Sequence, residues 1–235
     1  MLATFLKGAT TAPIAFVGSF SPTGPGSSTS WTISYAGNLT GGLSTSPQAG
    51  DLVVVIVGAS NSAARTFTAV TSGYTKVAEL YANNTGSTAD AIFAVFIKIM
   101  GGTPDTDFQV NFSAAIFPEA IVYCLRNVNQ TTPQDATATT ATTVTNGAVP
   151  NPAAITPVTV GAAVLACAVA SGTGTVTALT SSDLSNFATG GGGFARLGIG
   201  VIYGWSSGAV DPAAFGGGGA NIRATAAVTL ALRPA

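Results

Sequence analysis

The apolar residues of this chain arrive in short runs rich in Val, Ile, Phe, Ala and Thr, and nearly every run is closed by Gly, Pro, Asn or Ser. That is the punctuation of strands and turns. No apolar stripe recurs at three- and four-residue spacing over a long window, so helix is confined to one expected turn at 181–186. Strands are predicted at 14–19, 30–36, 51–58, 66–70, 74–81, 89–100, 107–113, 119–126, 162–170, 175–179, 194–205 and 222–232. In DFQVNFS, Phe108, Val110 and Phe112 share one face and Gln109 and Asn111 the other, which predicts one buried and one wet side. The proline-bearing segment 131–159 reads as an extended connection with at most one strand.

An open sheet of so many strands would be poorly covered. The expected fold is therefore an all-β antiparallel sandwich of jelly-roll type with about 10–12 strands. On either side of the midpoint the pattern repeats loosely. DLVVVIVGAS, AVFIKIMGGTPDTDF and PEAIVYCLR are answered by AAVLACAVASG, GVIYGWSSGAVDPAAF and ATAAVTLALRP. This predicts one sandwich over 13–235, divisible into Greek-key halves at 13–130 and 160–235, behind an N-terminal docking segment at 1–12.

Charge is nearly absent. Asp, Glu, Lys and Arg make up 7% of the 235 residues and there is no His, against about 25% charged in ordinary domains. Surface normally carried by charge must be covered by Thr, Ser, Asn and Gly or buried against other copies, which points to an assembled structural part. The lack of His excludes Ser-His-Asp and Cys-His catalysis and the usual zinc sites. Eight scattered basic residues give no nucleic-acid surface. Apolar runs fall far short of the roughly 20 residues that span a bilayer. The N-terminus lacks a basic start and places Lys7 where a signal peptide wants apolar residues, so an uncleaved, cytoplasmically made chain is expected. Cys124 and Cys167 sit in apolar runs and read as small buried hydrophobes rather than a disulfide.

Candidate sites are few. The nine carboxylates read as turn and strand-edge residues rather than a glycosidase pair. Asp105 and Asp107 in PDTDF could hold calcium, but read first as a turn, and no full oxygen set is visible. The GGGG runs at 190–193 and 216–219 lack the context of a phosphate loop and read as loop tips or places of close backbone approach. Trp31 and Tyr35 share a strand face and are expected in the core. Tyr74, Tyr203, Trp205 and Phe215 are the candidate ligand or partner contacts, with no cofactor or metal expected.

The succession APIAFVGSF, SPQAGDLVVVIVGAS, SGYTKVAEL, AVFIKIMGGTPDTDF and EAIVYCLRNVNQTTPQD resembles virion proteins of tailed bacteriophages, described as tail-fibre, minor tail or other virion-surface components. The resemblance spans 13–170, and the terminal ATAAVTLALRP fits its last strand. Tyr74 stands where the commoner pattern has Trp. The resemblance implies a non-enzymatic virion component on capsid or tail and a homo-oligomer with a trimer favoured. It further implies other virion proteins and a host surface glycan as partners, with neither nucleic-acid binding nor membrane insertion. A carbohydrate-binding adhesin is the alternative from another class, and a polysaccharide-degrading enzyme the third.

Overall fold

Residues 12–85 and 89–235 are described by the structure, a computed structural model, and every regular element among them is a strand. In chain order these are β1 (Ala15–Phe20), β2 (Ser28–Ser34), β3 (Leu52–Asn61), β4 (Phe67–Ala69), β5 (Thr75–Ala82), β6 (Asp90–Ile99), β7 (Asp107–Ile116) and β8 (Glu119–Arg126). There follow β9 (Gln134–Thr143), β10 (Ala163–Gly172), β11 (Leu179–Thr180), β12 (Ser185–Gly190), β13 (Ala195–Ile202), β14 (Gly216–Gly217) and β15 (Ile222–Leu232). The all-β expectation is met, with more strands than the 10–12 foreseen. The additions β12 and β14 lie in Gly- and Ser-bearing stretches without an apolar run, where ladder pairing rather than side-chain pattern makes the strand. The helical turn expected at 181–186 is absent. There the Ser181 hydroxyl accepts the amides of Asp183 and Leu184 in a bend that leads into β12. Of the strand expected at 175–179, only Leu179 enters a ladder.

Among the described residues four antiparallel sheets form. Two have five strands, ordered β1-β8-β3-β6-β5 and β12-β13-β10-β15-β9. They face each other across a shared core: Leu52, Val54, Ile56, Phe93 and Tyr123 meet Leu165, Cys167, Val169, Ile199 and Leu230. The other face of the first sheet, with Val53, Val55 and Val57, is covered by β2-β7-β4 through Ile33, Phe67 and Phe108. Strands buried on both faces need no polar alternation, which is why LVVVIV and AVLACAV read as unbroken apolar runs. On β7 only one face is covered, and the alternation returns.

The two halves repeat one plan. β3 lies between β8 and β6 as β10 lies between β15 and β13. β5 flanks β6 as β12 flanks β13, and β1 flanks β8 as β9 flanks β15. Register agrees too: Leu52 pairs with Leu125 and Gly58 with Glu119, while Ala163 pairs with Leu232 and Val169 with Ala226. Each central strand is entered through a turn with glycine at positive φ, Gly50 at 83° and Gly161 at 86°, a conformation that costs other residues dearly. Contacts between the halves come in matched pairs. β6 against β10 is answered by β13 against β3, β15 against β6 by β8 against β13, and β5 against β9 by β12 against β1. Near one end the equivalent residues Ser60 and Ser171 touch each other, Oγ to Oγ at 2.6 Å. The chain is thus built as an internal dimer about a pseudo-twofold axis along the strands, with the self-complementary interface of a symmetric dimer inside one polypeptide.

The outer covers differ. Among the described residues, β11-β14 and loops lie over the second sheet, and β13 turns Gly198 and Gly200 outward so that Leu184, Phe187 and Phe215 rest directly on its backbone. A Cβ at Gly200 would stand 2.7 Å from that of Leu184.

At the end opposite Ser60 and Ser171, each half closes with the same device. Arg126, last residue of β8, grips buried Asp51 through Nε to Oδ1 at 2.8 Å and Nη2 to Oδ2 at 2.9 Å, and Asp51 Oδ2 also accepts the Gln48 amide. Arg233, at the equivalent place after β15, grips Asp135 at 3.0 Å, and Asp135 accepts the amides of Val158 and Thr159 and the Thr159 hydroxyl. Burial works to raise the Asp135 pKa, and these hydrogen bonds outweigh it and hold the carboxyl below its usual range. Between the halves Asn127 adopts φ 63°, donates from Nδ2 to the Pro13 carbonyl at 2.9 Å and accepts the Ala235 amide at 2.9 Å. Residues 13 and 235 therefore lie at this same end. The expected docking segment falls almost wholly in 1–11, outside the described residues.

Two outcomes are expected. Gly200→Val should lower stability by about 1–3 kcal/mol, since Leu184 and Phe187 must be displaced; thermal or denaturant melts measure it. Because the folded pKa of Asp135 is depressed, its contribution is present above pH about 4 and lost as pH falls through the folded value. Asp135→Asn should therefore lower Tm at pH 7 and flatten the Tm profile below pH about 4.

Candidate functional site

The aromatic residues singled out in the sequence are scattered. Tyr74 stacks on Phe108 at 4.6 Å between ring centroids, shares a 3.0 Å hydrogen bond with the Tyr35 hydroxyl and lies beneath Lys98 Nζ at 5.5 Å. Burial pushes both phenols well above the ordinary tyrosine range. Tyr203 donates to Asn186 Oδ1 at 2.9 Å, and burial raises its pKa to about 12. Trp205, half-buried, donates from Nε1 to the Gly208 carbonyl at 2.8 Å. Phe215 is 1% exposed and belongs to the core over β13, where no ligand or partner can reach it. Trp31 and Tyr35 are core residues, as their shared face predicts. Asp105 binds Lys98 Nζ at 2.5 Å, so its charge is engaged inside the fold, and among the described residues no three Cys, Asp or Glu converge as metal ligands. Cys124 and Cys167 are free, lie in different cores, and have thiols pushed up by burial.

What the fold does gather is at the other end, on the seam between the halves. The turn from β7 to β8 brings Phe117, Pro118 and Glu119; the turn from β12 to β13 brings Gly191, Gly192, Gly193 and Phe194; the stretch after β1 brings Ser21 to Gly24. Between them lie two adjoining cavities of about 440 and 320 Å³ that share Phe117, Glu119 and Gly192. The segments meet backbone to backbone: a side chain at Gly190 would run into the Ser21 hydroxyl, and one at Gly24 into the Pro118 carbonyl. The first GGGG run is thus a place of close approach at a tip of the molecule, as its composition suggested.

Polar groups hold the seam. Glu119 Oε1 accepts the Gly192 amide at 2.9 Å. Arg196 donates Nε to the Val176 carbonyl at 2.9 Å and Nη1 to the Gly191 carbonyl, bracing the glycine turn. Burial raises the Glu119 pKa despite the opposing pull of the Gly192 amide and Arg196. Phe117 and Phe194 remain 67% and 58% exposed at the mouth. Glu119 is the sole carboxylate lining either cavity, whereas glycoside hydrolysis by the usual route needs two.

None of these four residues stood out in the sequence. The available signal was that Phe117 precedes Pro118 in AIFPE and Phe194 follows a glycine run in GGGFAR; Phe194 heads the strand expected at 194–205, but β13 begins one residue later, at Ala195. Compared with family models, curated proteins and solved structures, the chain gives no match in any of the three.

Because folding disfavours ionised Glu119, its charge costs stability as pH rises above the unfolded carboxylate range. Glu119→Gln keeps an acceptor for Gly192 and is expected to raise Tm by about 2 °C at pH 7. At low pH, where Glu119 is protonated, the same substitution should leave Tm unchanged; scanning calorimetry at both values checks it.

Proposed function

We propose that this chain is a non-enzymatic structural module of a tailed-phage particle, displayed on the capsid or tail surface, working by oligomeric packing and contributing to host attachment. One observation carries the structural role: most of the scarce charge is engaged by the chain's own groups. Asp51, Asp105, Asp135 and Glu79 are paired with Arg126, Lys98, Arg233 and Lys76. Asp90 accepts Tyr81 and the Asn84 amide, and Asp183 the Ala213 amide. A protein that keeps its acids and bases for architecture offers little to general acid–base chemistry. The outer surface is left to Thr, Ser, Gly and exposed Leu43, Val158 and Val160, suited to contact with further copies.

The particle setting rests on the phrase-by-phrase resemblance to phage virion proteins. In the first half the order β1-β8-β3-β6 beneath β2-β7-β4 is what two interleaved Greek keys produce, and we read it as a jelly roll, an architecture shared by capsid and lectin domains. The polarity of the molecule suits display: residues 13 and 235 sit at one end and the exposed phenylalanines at the other. In this reading residues 1–12 dock on a neighbouring subunit or on the particle.

Electron microscopy of intact particles carrying a labelled chain is expected to find it at fixed stoichiometry on the outer surface, and its absence there would sink the reading. Light scattering is expected to give a trimer, against which a stable monomer would count. Deletion of residues 1–12 should abolish incorporation.

A further inference from the structure

We infer that the seam groove between Phe117 and Phe194 is a saccharide-binding site. The inference deepens the attachment role proposed above, since it gives a glycan a site at a groove no sequence motif marked.

Three observations converge on it. Phe117 and Phe194 are the exposed phenylalanines among the described residues, and both line the same cavity. An exposed aromatic ring is a platform for the C–H face of a sugar, while a residue kept only for folding would be drawn into a core. Next, the groove is amphipathic in the way a sugar is. The 320 Å³ part is lined by the two rings, Ala195 and glycine beside Ser60 and Glu119; the 440 Å³ part adds Ser21, Thr23, Thr189 and Arg196 beside Pro22 and Pro118. Both volumes lie within the roughly 300–1,000 Å³ of small-ligand pockets.

In the polar part the groups left for a ligand match hydroxyls. Glu119 commits Oε1 to Gly192 and keeps Oε2 without a hydrogen-bond partner among the described residues. Arg196 commits Nε and Nη1 to the backbone and keeps Nη2. Thr189 donates to the Leu197 carbonyl at 3.0 Å and retains its oxygen lone pairs as acceptors. One acid and one base make the floor neutral, which suits an uncharged polyol better than an anion or a basic peptide.

Third, the pseudo-symmetry supplies an internal control. The position of Glu119, paired with Gly58, corresponds in the second half to Ala226, paired with Val169 and buried. The carboxylate at this seam is therefore an addition to the shared plan rather than a requirement of it.

The test titrates the isotope-labelled full chain with hexoses, deoxyhexoses and N-acetylhexosamines at millimolar concentration, followed by aromatic and methyl chemical shifts. Expected are shifts confined to Phe117, Phe194 and residues 189–196 with at least one sugar class, and at least about a tenfold loss of affinity in Phe117→Ala and in Phe194→Ala. Since both rings are more than half exposed, these variants should keep the wild-type Tm. Val158→Ala, also exposed, should bind as wild type. Absence of groove shifts with every sugar would overturn the proposal. So would undiminished binding in the double phenylalanine variant, or shifts with an apolar proline-rich peptide and none with sugars. Particle location is measured separately, so a groove that binds sugar in a chain missing from particles overturns the virion reading alone.

Discussion

Burying both faces of β3 and β10 is the condition that every other part of this molecule answers to. A fully buried Val or Leu side chain is worth roughly 1.5–3 kcal/mol, whereas an exposed ion pair contributes about 1 kcal/mol or less. The core shared by the two five-stranded sheets therefore outweighs any plausible surface electrostatics. It also creates a debt of coverage, because each sheet now needs a lid on its far side. The first half supplies a three-stranded sheet with large aromatic residues, the second a set of loops with Leu184, Phe187 and Phe215 lying on glycine.

With the middle of the molecule apolar from lid to lid, charge is left to the margins and the strand ends. The ion pairs at Asp51 and Asp135 do what the interior cannot: they fix how the chain enters and leaves each half, at carboxylates that are buried and fully hydrogen-bonded. A buried carboxylate left without its arginine would be costly, so these pairs act through the penalty of breaking them more than through net attraction. Glu119 is the contrasting case, held at the seam with a raised pKa by one backbone amide and without a direct ion pair.

Much of this plan was legible in the residues, and the rest was hidden for physical reasons. Unbroken runs such as LVVVIV announced strands, and the alternation of Phe108, Val110 and Phe112 announced one covered face. The doubling was visible only as a loose echo, because valine in one half answers alanine in the other while the ladder register stays the same. β12 and β14 were invisible because neither carries an apolar run: β12 is made by its hairpin with β13, and β14 by pairing with β11, distant in sequence. Tyr74, Tyr203, Trp205 and Phe215 drew attention as large aromatics, yet size alone does not separate a platform from a core: Phe215 fell inside, and Phe117 and Phe194, which sit beside turns, were the ones left outside.

The paired carboxylates carry one more consequence. In the first half the acid is borne by the residue that opens the central strand, and in the second by a residue on the flanking strand β9, yet each engages the equivalent arginine and the equivalent turn amide, of Gln48 and of Thr159. Laid side by side letter for letter, the halves would seem to have lost this acid, since Ala162 stands where Asp51 does. What the two halves share here is a negative charge at an equivalent point in space, whichever position along the chain delivers it, and two sequences can differ widely in spelling while that point stays occupied.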